Sequence, residues 1–270
     1  HVVQPFHHFP GKMKPPDRYR SDDCLWFFQA IPLYVKETGD FRFYRKVLPF
    51  ADRGRASVLG HLRRAIEFNL RRVGRHGLPA GLLADWNDCL NLGEKGESVM
   101  VAMQLRAALA EYAEVSRRLR LAAEGKWAAR ELIRIDARIA KHAWDGEWFI
   151  RGIRAGGEVI GTKRSPEASI FLETQAWAVM SGVATASQAR RAMDSAKERL
   201  GTEYGLLLCS PPFETANPRE ISAMVYNPGA KENASIFCHP QGWAVIAEAM
   251  LGRGDRAFRI FSSFNPAAYN

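Results

Sequence analysis

The chain has 270 residues, 47% hydrophobic and 25% charged, with a formal net charge of +9 at pH 7. These are ordinary globular values, enough for one large domain or two small ones. No run of 18 apolar residues occurs, which excludes a transmembrane helix, and the N-terminus lacks the pattern of a signal peptide. The positive charge invites a nucleic-acid or membrane partner. However, Arg63, Arg64, Arg71 and Arg72 are interleaved with Glu67, the pattern of a solvated helix face, and no nucleic-acid-binding motif is present.

In chain order, His1–Arg20 is rich in Pro, His and aromatics and reads as irregular. Ser21 is the expected N-cap of a first helix, with Asp22 and Asp23 in its first turn and Gly39 as its stop. Apolar periodicity predicts helices over about 56–73, 98–121, 127–143, 168–181, 187–200, 239–251 and 255–264. Between them, 144–161 carries an Asp145-Gly146 turn signal and alternating apolar residues, a short β-hairpin. Gly77–Gly96 and Ser210–Lys231 read as long loops, and loops of that length are usually functional. Roughly eight helices with long loops between some of them make a mainly α fold of toroid type. No Gly-rich phosphate loop and no strand–helix alternation points to a nucleotide-binding fold. Cys24, Cys89, Cys209 and Cys238 form no CxxC pair, so they read as reduced, buried thiols of a cytoplasmic protein.

Three clusters carry candidate chemistry. The first is ADWNDCLNL at 84–92, followed by GES at 96–98. An indole beside carboxylates suits sugar binding: the ring stacks on a pyranose face and the acids bond its hydroxyls. One carboxyl can also protonate a glycosidic oxygen. A capped loop, with its acids on backbone N–H groups, is the alternative. The second is Asp17-Arg18-Tyr19-Arg20-Ser21-Asp22-Asp23, then Trp26, either a sugar clamp or helix capping with a salt bridge. The third runs from Asn227 through Lys231, Glu232 and Asn233 to His239 and Trp243, either an anion site at a helix start or a structural histidine. No His/Asp/Glu grouping has metal spacing.

Together these clusters resemble the cellobiose, cellodextrin and chitobiose phosphorylases, glycoside hydrolase family 94. The resemblance rests on ADWNDCLNL, GES, YRSDDCLW at 19–26, ETQAW at 173–177, NPGAKENASIFCHPQGWA at 227–244 and LGRGDRAF at 251–258. It implies an (α/α)6 barrel that cleaves a β-linked disaccharide with inorganic phosphate and inversion, without cofactor or metal. Asp88 is then the general acid, and Trp86 lines the donor-sugar site. Asp23 and Arg18, or Arg20 in place of Arg18, contact that sugar. Glu232 is an acid near the sugars, and His239 is a phosphate ligand. The resemblance also implies that residues 1–270 are a partial catalytic barrel, without the family's N-terminal β-sandwich and C-terminal barrel helices, and that homodimers form. The competing expectations are a hydrolase with Asp88 as acid and Glu232 as base, a β-1,2-glucan synthase or phosphorylase module, and a non-catalytic carbohydrate-binding fragment.

Overall fold

The computed structural model describes residues 19–269. Among them are eight α-helices: α1 Phe27–Thr38, α2 Val58–Arg71, α3 Val99–Arg118, α4 Ala122–His142, α5 Leu172–Met180, α6 Ala186–Leu200, α7 Cys238–Met250 and α8 Gly254–Phe264. The fold is mainly helical. α3 is the centre: it packs on α2, α4 and α5, while α5 leads through α7 to α8 and also touches α6. From Val99 to Leu105 every residue of α3 is buried, as an all-round apolar helix in a core should be. α4 is amphipathic instead. It buries Ala128, Ile135 and Ile139 and exposes Arg130 and Arg134, while Arg138 donates to Gly77 O at 2.9 Å. Capping fixes the ends: Ser98 Oγ accepts from Val101 N at the start of α3, and Thr185 and Gln188 form a capping box before α6.

The strands are short and join loops to helices. β1 Val47–Pro49 pairs with β2 Arg55–Ser57, and β3 Glu97–Ser98 pairs with β4 Gly152–Ile153, which pairs with β5 Val159–Ile160. β6 Ile170–Phe171 pairs with β9 Cys209–Ser210, and β7 Gly201–Thr202 with β8 Gly205–Leu206, all antiparallel. The main core lies between the helices. A second, smaller core of Cys89, Leu90, Leu92, Ile160, Ala168, Phe171, Cys209, Phe213, Ile221, Ala223 and Ala234 lies under the long loops. Those loops are therefore packed on a core of their own.

Several expectations shift. Ser21 caps no helix; it is fully buried and its hydroxyl donates to Ala84 O. Asp23–Leu25 is a 3-10 turn, and α1 starts only at Phe27. α4 starts at Ala122, before Trp127, and α5 starts at Leu172 because Ile170 and Phe171 are drawn into β6. The β4–β5 hairpin turns at 154–157, whereas Asp145-Gly146 closes a separate Trp144–Phe149 bridge. Gly77–Gly96 is not structureless: Pro79 and Ala80 bridge to Val73 and Glu97. The α2 arginines do pair with acids, but Arg63 is partly buried, 3.3 Å over the Trp127 ring and bonded to Glu67 and Glu124. Cys24, Cys89 and Cys209 are buried free thiols, while Cys238 is exposed. No helix among the described residues is long and apolar enough to cross a membrane.

Candidate active site

The 84–92 turn is clamped from below by Arg151, which is fully buried. Its guanidinium forks onto Asp85, Nη1 donating to Oδ2 at 2.7 Å and Nη2 to Oδ1 at 2.6 Å, while Nε donates to Glu173 Oε1 at 2.8 Å. Ser98 Oγ donates to Asp85 Oδ2 at 2.6 Å and Asn87 N to Oδ1 at 2.9 Å. Burial alone would push the Asp85 carboxyl up, yet Arg151, Ser98 and the Asn87 N–H hold it below the ordinary aspartate range. Glu173 is less well served. Burial leaves its carboxyl above the glutamate range despite Arg151, and its Oε2 has no hydrogen-bond partner among the described residues.

With Asp85 pinned, Asp88 is presented at the surface, its side chain 53% exposed and its Oδ1 2.8 Å from Arg20 Nη1. The two acids of this motif thus divide the two sequence readings: Asp85 belongs to the structural one, and Asp88 is open to chemistry. The GES segment closes the base of the turn. Glu97 accepts from the backbone of His76 at 2.8 Å and Leu78 at 3.0 Å and meets His76 Nδ1 at 2.5 Å. A Cβ on Gly96 would lie 1.9 Å from Leu92 O, so only glycine fits there.

The 19–26 segment lies alongside. Ser21 N donates to Ala84 O at 3.0 Å and Leu83 N to Tyr19 O at 3.2 Å, which sets Arg20 beside Asp88. Arg20 and Asp23 share a cavity of about 500 Å³ with Tyr19, Phe68 and Arg72. Arg18 lies outside the described residues. Asp22, next to Asp23, is buried and accepts from Trp26 Nε1 at 2.8 Å. Burial, with the nearby Asp85 carboxylate adding, raises it to about 7 from 3.8. A raised folded value means that stability is full below the unfolded value and is lost as pH rises through the folded one. The protein is therefore expected to lose up to about 4 kcal/mol between pH 4 and 7 through this group. D22N, which mimics the protonated acid, should flatten that slope in denaturant melts across pH; an unchanged slope would remove Asp22 as its source.

The third cluster meets the first at Trp86. Its Nε1 donates to His239 Nδ1 at 2.9 Å, and its ring stands edge-on to Trp243 at 5.2 Å. Trp26 stacks on Trp243 at 5.8 Å, Trp177 meets both edge-on, and His239 lies 4.6 Å from Trp243. Such pairs each contribute about 0.5–1.5 kcal/mol beyond their buried area, so they form a stiff aromatic wall. His239 is in the first turn of α7, whose N-cap Phe237 supplies no side-chain cap. Burial holds its imidazole below the ordinary histidine range. Glu232 lies near the Cys89 thiol, which burial, opposed by Ser222 and aided by Glu232 and Asp88, pushes up to about 11. Lys231 does not join His239 and lies 4.9 Å over the Tyr226 ring. Asn233 is structural, fully buried and bonded to Phe213 and Tyr226.

Sequence reasoning missed Arg151. The available signal was an arginine inside the apolar run Phe149-Ile150-Arg151-Gly152-Ile153, where a charge persists only if paired. The ETQAW segment supports the same region. Glu173 holds Arg151, Gln175 bonds the Phe149 backbone at 2.8 and 2.9 Å, and Trp177 joins the aromatic wall.

Residues 10–270 match the catalytic domain of the Glycosyl hydrolase 94 superfamily. The chain belongs to this superfamily. Among its relatives, the N,N'-diacetylchitobiose phosphorylases of Vibrio proteolyticus and Vibrio furnissii are 41% and 44% identical, over 93% of this chain and 31% of theirs. Solabiose phosphorylase of Paenibacillus borealis is 35% identical over 91% of this chain and 33% of its own length. The chain thus spans about a third of the length of these relatives. A solved rhamnosidase from Klebsiella oxytoca, with rhamnose bound, superimposes over 92% of this chain and 38% of its own with a TM-score of 0.61 at 16% identity, a likeness of fold alone. In this Glycosyl hydrolase 94 chain, one turn thus carries both Asp88, paired with Arg20, and Trp86, bonded to His239, with Glu232 near Cys89 beside them.

Proposed function

We propose that this chain is part of an (α/α)6 barrel that carries out inverting phosphorolysis of a β-linked disaccharide, giving an α-sugar 1-phosphate and a free sugar. One observation carries this reading: an exposed acid, Asp88, stands two residues from Trp86, whose indole holds a histidine at an uncapped helix start. Acid and anion site are then built on one wall. A phosphate oxygen attacks the anomeric carbon from the face opposite the glycosidic bond. That bond breaks as Asp88 passes its proton to the leaving oxygen. Phosphate is already nucleophilic, so no general base is needed, and the oxocarbenium-like transition state favours acids around the donor ring.

In this reading Asp23 and an arginine of the same segment, Arg18 or Arg20, contact the donor sugar; Arg20 and Asp23 share the 500 Å³ cavity. Binding draws Arg20 onto sugar hydroxyls and frees Asp88 to carry a proton. Trp86 lines the donor site, Glu232 lies near the sugars, and His239 binds phosphate together with the first N–H groups of α7. The four free thiols support a reducing, cytoplasmic setting.

The Vibrio relatives make N,N'-diacetylchitobiose the first substrate to try, with cellobiose beside it. The test incubates the full-length protein with each sugar, with and without phosphate, and follows the anomeric signals by NMR. Phosphate-dependent α-1-phosphate is the expected product. Free sugar formed equally well without phosphate would overturn the reading in favour of a hydrolase.

A further inference from the structure

Trp86 has a second consequence for the site. An indole N–H is a donor only, and it lies 2.9 Å from His239 Nδ1. That nitrogen must therefore carry a lone pair. We propose that Trp86 is a positioning residue that fixes His239 as the neutral Nε2–H tautomer, so that the ring offers an oxyanion one N–H donor without carrying charge. A proton on Nδ1 would face the indole N–H, donor against donor. The rings packed around the imidazole, those of Trp26, Trp86 and Trp243, carry no formal charge and supply no counter-ion for an imidazolium. Charged groups of the adjoining segments have other partners: Asp22 accepts from Trp26, Asp88 lies on Arg20, and Lys231 covers Tyr226. His239 is exposed on one side, and its partial desolvation also disfavours the charged ring. With Nδ1 taken, Nε2–H is the single N–H the side chain can give.

The kinetic consequence rests on the reading of His239 as a phosphate ligand; the tautomer itself does not. The experiment uses the full-length protein with ¹⁵N-labelled histidine at neutral pH, the His239 signals being assigned by their loss in H239Q. In the unsubstituted protein, His239 should show a protonated Nε2 and an unprotonated Nδ1. An Nδ1–H tautomer or an imidazolium there overturns the proposal, whatever any variant does. W86F keeps an aromatic ring and removes the N–H. It should produce mixed tautomers and raise the KM for inorganic phosphate about fivefold. Unchanged tautomer populations in W86F overturn the proposal. A shifted tautomer with an unchanged phosphate KM supports it and instead removes His239 from the phosphate site.

Discussion

Asp88→Asn in the full-length protein is expected to lower kcat for phosphorolysis by about 10²–10⁴-fold, the usual contribution of a general acid. The fold should be intact. The Asp88 side chain is half exposed, and the turn that bears it is clamped by Arg151 through Asp85. The informative measurement compares leaving groups. A sugar hydroxyl leaves poorly unless protonated, whereas a nitrophenolate needs little help. An aryl β-glycoside of the donor sugar should therefore lose far less rate in D88N than the disaccharide does. The KM for phosphate should hold, since phosphate is expected at His239. Equal losses for both leaving groups would mean that Asp88 does something other than donate the proton, and Glu232 would become the next candidate.

What the sequence disclosed and what it hid follow from one distinction. Helices were legible because a 3.6-residue stripe and a cap are local features. The existence of all eight follows from them, with errors at the ends where a partner distant in the chain takes residues away. Ile170 and Phe171 are one case: they pair with Cys209 and Ser210, and no local pattern signals that. Ser21 is another, since its partner is Ala84. The site motifs were visible as dense clusters of Trp, Asp and Asn, but the division of labour inside them was not. Asp85 and Asp88 share a turn and a side-chain type. Only the arrival of Arg151 from 66 residues away makes one a strut and leaves the other at the surface. The same holds for Asp22 and Asp23: the first is sealed against Trp26, and the second lines the cavity.

The clamp under the acid turn leads to the second large effect. Arg151→Met should destabilise the protein by about 3–5 kcal/mol, because it leaves Asp85 and Glu173 buried without their cation. A domain has only about 5–15 kcal/mol in total, so the variant should be marginal, with a fall in both Tm and denaturant midpoint. The size of the loss follows from burial. Both acidic partners of the guanidinium lie at 0–1% exposure, where no water can replace it. Neutralising the stranded acids, in R151M/D85N/E173Q, should return much of that stability, since the uncompensated charges and not the missing contact cause most of the loss. Activity should not return with it. Asp85 is what holds the turn that presents Asp88, and an amide there cannot draw in Ser98, the Asn87 N–H and a guanidinium together. Arg151→Lys separates the two roles further. It keeps one positive charge, so it should fold better than R151M, but an ammonium has no planar fork to grip both Asp85 oxygens. The turn should then be held loosely, with kcat reduced more than the KM for either substrate. If R151M instead melted like the unsubstituted protein, the Asp85–Arg151–Glu173 cluster would not be the support of the acid turn.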